Sequence, residues 1–141
     1  MKPAEGAGRS ALNLLSGQRV TKAYAIVCLL DTGNERSPAE GMEFLLADGR
    51  SVLLSCATDW SLEVAEGAWP ELPDWCWPAE SWAHEEIERI GAPGLDKVVR
   101  ISGIHNSVGE LSGALLEFPS AFLEVRAGAA VTWEITPKPQ C

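Results

Sequence analysis

Between Arg19 and Leu30 the chain turns β-like, with Val20, Tyr24, Ile26 and Cys28 falling on one side. From Ala23 to Leu30 both sides are apolar, the pattern of a central strand buried on each face. A polar loop rich in Gly, Asn, Ser and Pro follows from Asp31 to Gly41. Two apolar runs then flank Asp48-Gly49 within Met42–Cys56, which reads as a hairpin, because Gly and Asp tolerate the positive φ that matches strand twist. A two-residue loop would pair Phe44 with Leu53 and Leu45 with Val52. Ser61 to Glu66 alternates Leu62 and Val64 with Glu63 and Ala65, a third strand. Further strands are expected over Lys97–Ile104, Glu110–Phe118, Ala121–Arg126 and Ala130–Thr136, in the last of which Val131, Trp133 and Ile135 alternate with Thr132 and Glu134.

Two stretches carry a helical signal. Ser10 to Gly17 reads as one or two turns with Ser10 as N-cap and Gly17 as stop. Past Pro78, which suits a first helical turn, Ala79, Trp82, Ala83, Ile87 and Ile90 form an apolar stripe opposite Glu80, His84, Glu85 and Glu88, and Gly91 and Pro93 end it. The expected fold is therefore α+β, mainly β: an antiparallel sheet or partly closed barrel of about seven strands, with one main helix over about 79–90. Strands do not alternate with helices, which argues against a parallel α/β sheet. Residues 10–136 would form one domain between mobile tails at 1–9 and 137–141.

A chain of 141 residues can bury enough surface to fold without disulfide or metal. The hydrophobic fraction of 46% and charged fraction of 22% are those of a globular protein and not of a disordered one. The formal net charge of −9 argues against nucleic acid and anionic membrane as partners and favours a basic protein. Cys28, Cys56, Cys76 and Cys141 are unevenly spaced, with no Cys-x-x-Cys pair, and Met1–Ser10 lacks the apolar stretch of a secretory signal. Both features suggest reduced thiols in a cytoplasm. No apolar run is long enough for a membrane span.

Tryptophan and acid are concentrated together. Trp69, Trp75, Trp77 and Trp82 fall within Ala68–Trp82, punctuated by Pro70, Pro73 and Pro78, and no Lys or Arg occurs from Ser51 to Glu88. Each proline removes a backbone donor, so the segment is an irregular loop and not an interior strand. One explanation is packing: the rings seal a sheet end or dock the helix. The other leaves one or two rings exposed as interface anchors. Helix phase assigns Trp82 to the core. Trp75 and Trp77 share one face of an extended chain and are the exposed candidates, with Trp69 beside them and Glu66, Glu71 and Asp74 as the acidic rim. The carboxylates Asp59, Glu63, Glu66, Glu71, Asp74, Glu80, Glu85, Glu86 and Glu88 are either a solvated surface or a field that steers a cationic partner.

Catalytic patterns are sparse. Cys76 with His84 or His105 is a conceivable thiolate–imidazole pair, yet its surroundings lack positive charge and Cys76 between two tryptophans reads as a small buried hydrophobe. The same residues lack the ligand spacing of structural zinc, and His84-Glu-Glu is not the His-Glu-x-x-His motif. Asp59 with Glu63 or Glu66 supplies carboxylates of the type a glycosidase pairs, supported by residue type alone. No glycine-rich phosphate loop occurs. No catalytic, cofactor-binding or metal-binding residue is assigned, and no cofactor is expected.

The order of features from Arg19 to Trp82 (apolar strand, Leu46-Ala-Asp-Gly-Arg50 hairpin, Asp59-Trp60 and an alternating strand, then Trp-Pro and Trp-Cys-Trp-Pro) resembles a group of small uncharacterised bacterial proteins. By size, charge and architecture the chain is also similar to immunity proteins, which neutralise toxins delivered between cells; that is an analogy of build and transfers no motif residue. The functional expectation is a non-enzymatic acidic domain that binds a basic protein through its Trp-bearing face. The alternatives are a small-molecule-binding or enzymatic half-barrel with Asp59, Glu63 or His84 in a Trp-lined pocket, and a structural homodimer with a tryptophan seam.

Overall fold

The computed structural model describes residues 12–29, 39–57 and 60–139. Among these residues nine strands form two antiparallel sheets: β1 (Val20–Cys28), β2 (Ala39–Leu46), β3 (Ser51–Cys56), β4 (Leu62–Glu66) and β5 (Trp82–Glu86) in one, β6 (Arg100–His105), β7 (Leu111–Glu117), β8 (Ala121–Arg126) and β9 (Thr132–Pro137) in the other. The first runs in the order β4-β3-β2-β1-β5 and the second is the meander β6-β7-β8-β9. Among the described residues they are stitched by isolated bridges between Arg19 and Lys97 and between Ala39 and Val131, and do not close into a barrel.

One hydrophobic core lies between the sheets. Ala23, Ala25, Met42, Phe44, Val52 and Leu54 meet Ala114, Leu116, Phe118, Leu123 and Val125 from the other side, all buried. Alternation along each strand puts these residues on one face and sends Tyr24, Ile26, Glu43, Leu53 and His84 to the opposite face of the first sheet. β1 is apolar on both faces because both are covered: one by the second sheet, the other by the loop between β4 and β5. Ile26 and Cys76 are buried on that second side, outside the main core cluster.

The expected α+β class is corrected. Among the described residues the helical content near 79–90 is a single 3-10 turn, Ala79–Ser81, and Trp82–Glu86 is strand β5. The stripe at Ala83, Ile87 and Ile90 fits a strand running into a turn as well as it fits a helix. Pairing with β1 decides between them, because the margin of a buried strand must have its N–H and C=O groups bonded. A lone twelve-residue helix offers β1 no such bonds and is marginal on its own. Arg89 at φ 81 and Gly91 at φ 100 then turn the chain away.

Two registers are corrected as well. Leu46 N–H donates to Arg50 O and Gly49 N–H to Leu46 O, so the hairpin loop is Ala47-Asp48-Gly49, with Gly49 at φ 93. Phe44 therefore faces Val52, and Leu45 faces Ser51, one residue off the two-residue reading. Asp48 fixes the turn by accepting from the Arg50 backbone N–H at 3.0 Å. Val20 does not share a face with Tyr24: a register shift between Val20 and Lys22 turns it into the main core. Toward the start of the described chain, Leu12–Gln18 folds through three i to i+3 bonds, Leu15 N–H to Leu12 O, Ser16 N–H to Asn13 O and Gln18 N–H to Leu15 O, which bury Leu12 and Leu15. The expected Ser10 cap and the tail at 1–9 lie outside the described residues.

Candidate functional site

The loop from Gly67 to Pro78 crosses the outer face of the first sheet, from the β4 margin to the β5 margin. Its first part is tied down. Gly67 N–H donates to Ser51 O, and Trp69 N–H donates to Ser51 Oγ at 3.3 Å. Ser51 Oγ in turn donates to Glu43 Oε2 at 2.7 Å. The other oxygen of Glu43 lies 3.1 Å from His84 Nε2. Glu43 is 1% exposed, so its charge is held by Ser51 and His84 away from solvent. A carboxylate only accepts, so with Glu43 ionised the proton of this contact sits on His84 Nε2.

Rings close over this polar knot. Trp69 stacks on Tyr24 at 4.2 Å and 17°, and meets His84 edge-on at 4.7 Å. Gly67 is required here, since a Cβ would run into the Glu43 carboxylate. Further on, the loop folds by i to i+3 bonds, Glu71 N–H to Ala68 O and Cys76 N–H to Pro73 O. Trp69–Pro70 and Trp77–Pro78 are cis.

The second part of the loop presents aromatic surface. Trp77 is 82% exposed and Trp75 43% exposed. Trp75 sits edge-on to Trp82 at 5.5 Å. Trp82, expected in the core by helix phase, is instead half-buried on the outer face of β5. Leu29, also exposed, bonds through its N–H to Ser81 O at the same end. Trp69, placed beside Trp75 and Trp77 by sequence, serves as the inner fastener of the loop. Trp60 is exposed in the β3–β4 connection, at φ 69.

The acidic residues divide by position. Glu71, Asp74 and Glu80 are exposed around the tryptophans, and no Lys or Arg is within ion-pair distance of them among the described residues. Glu86 meets Lys22 at 3.9 Å, both half-exposed, a contact worth little in water. Glu66 sits at the end of β4, the opposite margin of the sheet, about 19 Å from β5 by strand spacing. Glu63 pairs with Ser55 and Glu66 with Val52, so the two carboxylates point to opposite faces. Asp59 lies outside the described residues.

Chemically the knot is a clamp. The carboxylate stands between the serine and the histidine, so His84 cannot take the Ser51 proton as a catalytic base would. Burial, with the fields of Cys28 and Glu43, pushes the Cys76 thiol up to about 11, the reverse of an activated nucleophile. His105 belongs to β6 in the other sheet and does not join Cys76. Among the described residues no group of three or more His, Cys, Asp or Glu is arranged to hold a metal ion. A shallow depression of about 350 Å³ between β8 and β9 is lined by Glu124, Arg126, Thr132, Trp133 and Glu134, away from the tryptophan loop.

Sequence reasoning missed Glu43 and Ser51. The available signal was one carboxylate inside the apolar run Met42–Leu46: a charge there is either out of phase or paired. No helix among the described residues is long and apolar enough to cross a membrane. No protein-family model, curated protein or solved structure matches the chain.

Proposed function

We propose that this chain is a non-enzymatic protein-binding domain whose tryptophan loop engages a basic protein. One observation carries the reading: Trp77 stands 82% exposed on a loop whose other end is clamped to the sheet by Trp69, Ser51 and Glu43. An exposed indole on an ordered base loses little entropy on binding and gives up a large apolar area, which is why tryptophan is enriched among interface anchors. Glu71, Asp74 and Glu80 around it select a cationic partner and speed its encounter. The mechanism is occlusion of the partner's surface. A toxin domain delivered between bacterial cells is the kind of basic partner suggested by size and charge, with the bacterial cytoplasm as the site of action.

The test is affinity capture from the source cell with the wild-type chain, Trp75→Ala and Trp77→Ala, followed by a binding titration with the captured protein. Both variants fold, and Trp77→Ala keeps the wild-type melting temperature within a few degrees, because little of Trp77 is packed. Each weakens binding by about tenfold or more, a hot-spot loss above 1 kcal/mol. Unchanged affinity, or variants that fail to fold, would sink the anchor role.

A further inference from the structure

β5 forms one margin of the five-stranded sheet and pairs with β1 alone among the described residues. Leu29 N–H donates to Ser81 O, and Ile87 N–H donates to Ala23 O. Bonded residues alternate along an antiparallel strand, so Ser81, Ala83, Glu85 and Ile87 turn their backbone groups toward β1. Trp82, His84 and Glu86 turn theirs outward. The Trp82 N–H is taken by Ala79 O. The Trp82 carbonyl, and both backbone groups of His84 and Glu86, have no partner among the described residues.

An open strand margin invites another strand, and proteins usually blunt it with lysine, proline, a bulge or a cover. Among the described residues β5 has no lysine, proline, bulge or covering segment. It carries Glu85 and Glu86, exposed, with Glu88 just beyond, and it starts at Trp82, against which Trp75 packs. Its geometry is held by the His84 side chain, which reaches across to Glu43 on β2. Carboxylates along the margin repel a second copy of a chain with net charge −9 and admit a strand of opposite sign.

We propose that the partner docks by adding an extended, lysine- or arginine-bearing strand to β5, with its backbone on His84 and Glu86, its cations on Glu85 and Glu88, and an apolar residue against Trp75 and Trp77. This rests on the protein-binding reading above and names its mode, in which backbone pairing supplies affinity and side chains supply selectivity.

The probe is a panel of capped octapeptides alternating lysine with valine, isoleucine, threonine or tyrosine, with an alternating glutamate–valine peptide as control. Binding is followed by tryptophan fluorescence, and amide exchange of the full chain by NMR. At least one lysine peptide binds saturably and slows exchange at His84 and Glu86 by about tenfold or more, while the glutamate peptide does not bind. N-methylation of one alternate set of peptide nitrogens abolishes binding, and of the other set leaves it intact. Binding without protection at these two amides, or equal tolerance of both N-methylated sets, overturns strand addition but leaves the Trp77 anchor standing. No binding by any lysine peptide overturns strand addition, and capture by Trp77 then judges the protein-binding reading separately. Concentration-dependent dimerisation that protects the same amides assigns the margin to a second copy and overturns the basic partner.

Discussion

Glu43 is the residue on which the outer face depends. Its charge is removed from water and answered by one hydroxyl and one imidazole. Taking one partner away leaves a buried charge uncompensated, so His84→Ala should cost about 3 kcal/mol in urea denaturation. Glu43→Gln should cost about 1 kcal/mol or less, because the amide still donates and accepts, Ser51 can rotate and His84 can change tautomer. Cys76 sets an alkaline limit. Its folded-state pKa of about 11 lies above the ordinary 9.0, so the folded chain holds the proton longer than the unfolded chain does. The contribution is whole below pH 9 and declines between 9 and 11, where the unfolded state has already lost its proton. The urea midpoint should fall across that window in the wild type and less steeply in Cys76→Ala.

At the scale of elements, legibility followed the number of constraints on each segment. β1 was readable because seven of its residues are apolar or small and both faces are covered. β9 was readable through the alternation of Trp133 and Ile135 with Thr132 and Glu134. The hairpin was legible as a hairpin, but its register was not, because Asp48-Gly49 serves both a two-residue turn and a three-residue turn with Gly49 alone at positive φ. Gly49→Ala should lower stability by about 1 kcal/mol, since no atom obstructs a Cβ there and only the backbone conformation is penalised. β5 was misread because its short apolar pattern carries no period of its own; a distant strand, β1, settles its conformation. The candidate site was half legible: Trp75 and Trp77 stood out by composition, whereas the clamp of Glu43, Ser51 and His84 joins three strands that no local pattern links.

For the whole molecule, charge and aromatic area are segregated in space as well as in sequence. The second sheet carries three ion pairs, Arg100–Glu117, Lys138–Glu117 and Arg126–Glu124. The tryptophan loop carries Glu71, Asp74 and Glu80 without cations. The association rate with a basic partner should therefore fall steeply, by about tenfold or more, as salt rises from 10 to 300 mM, while dissociation changes little. Stopped-flow tryptophan fluorescence would read both. A salt-independent association rate would remove the steering role of the carboxylates.

The strand order has a last consequence. β5 joins the sheet from about sixty residues away along the chain, whereas β1 to β4 are joined by successive hairpins, so the detachment of β5 regains the most loop-closure entropy. Its departure would bare the far side of Ala23–Cys28, six consecutive uncharged residues without proline or glycine that include the strand formers Tyr24, Ile26 and Val27, the composition that seeds fibrils. The tryptophan loop and its buried carboxylate thus also act as a guard against self-templating, and variants that loosen the clamp should precipitate before they unfold.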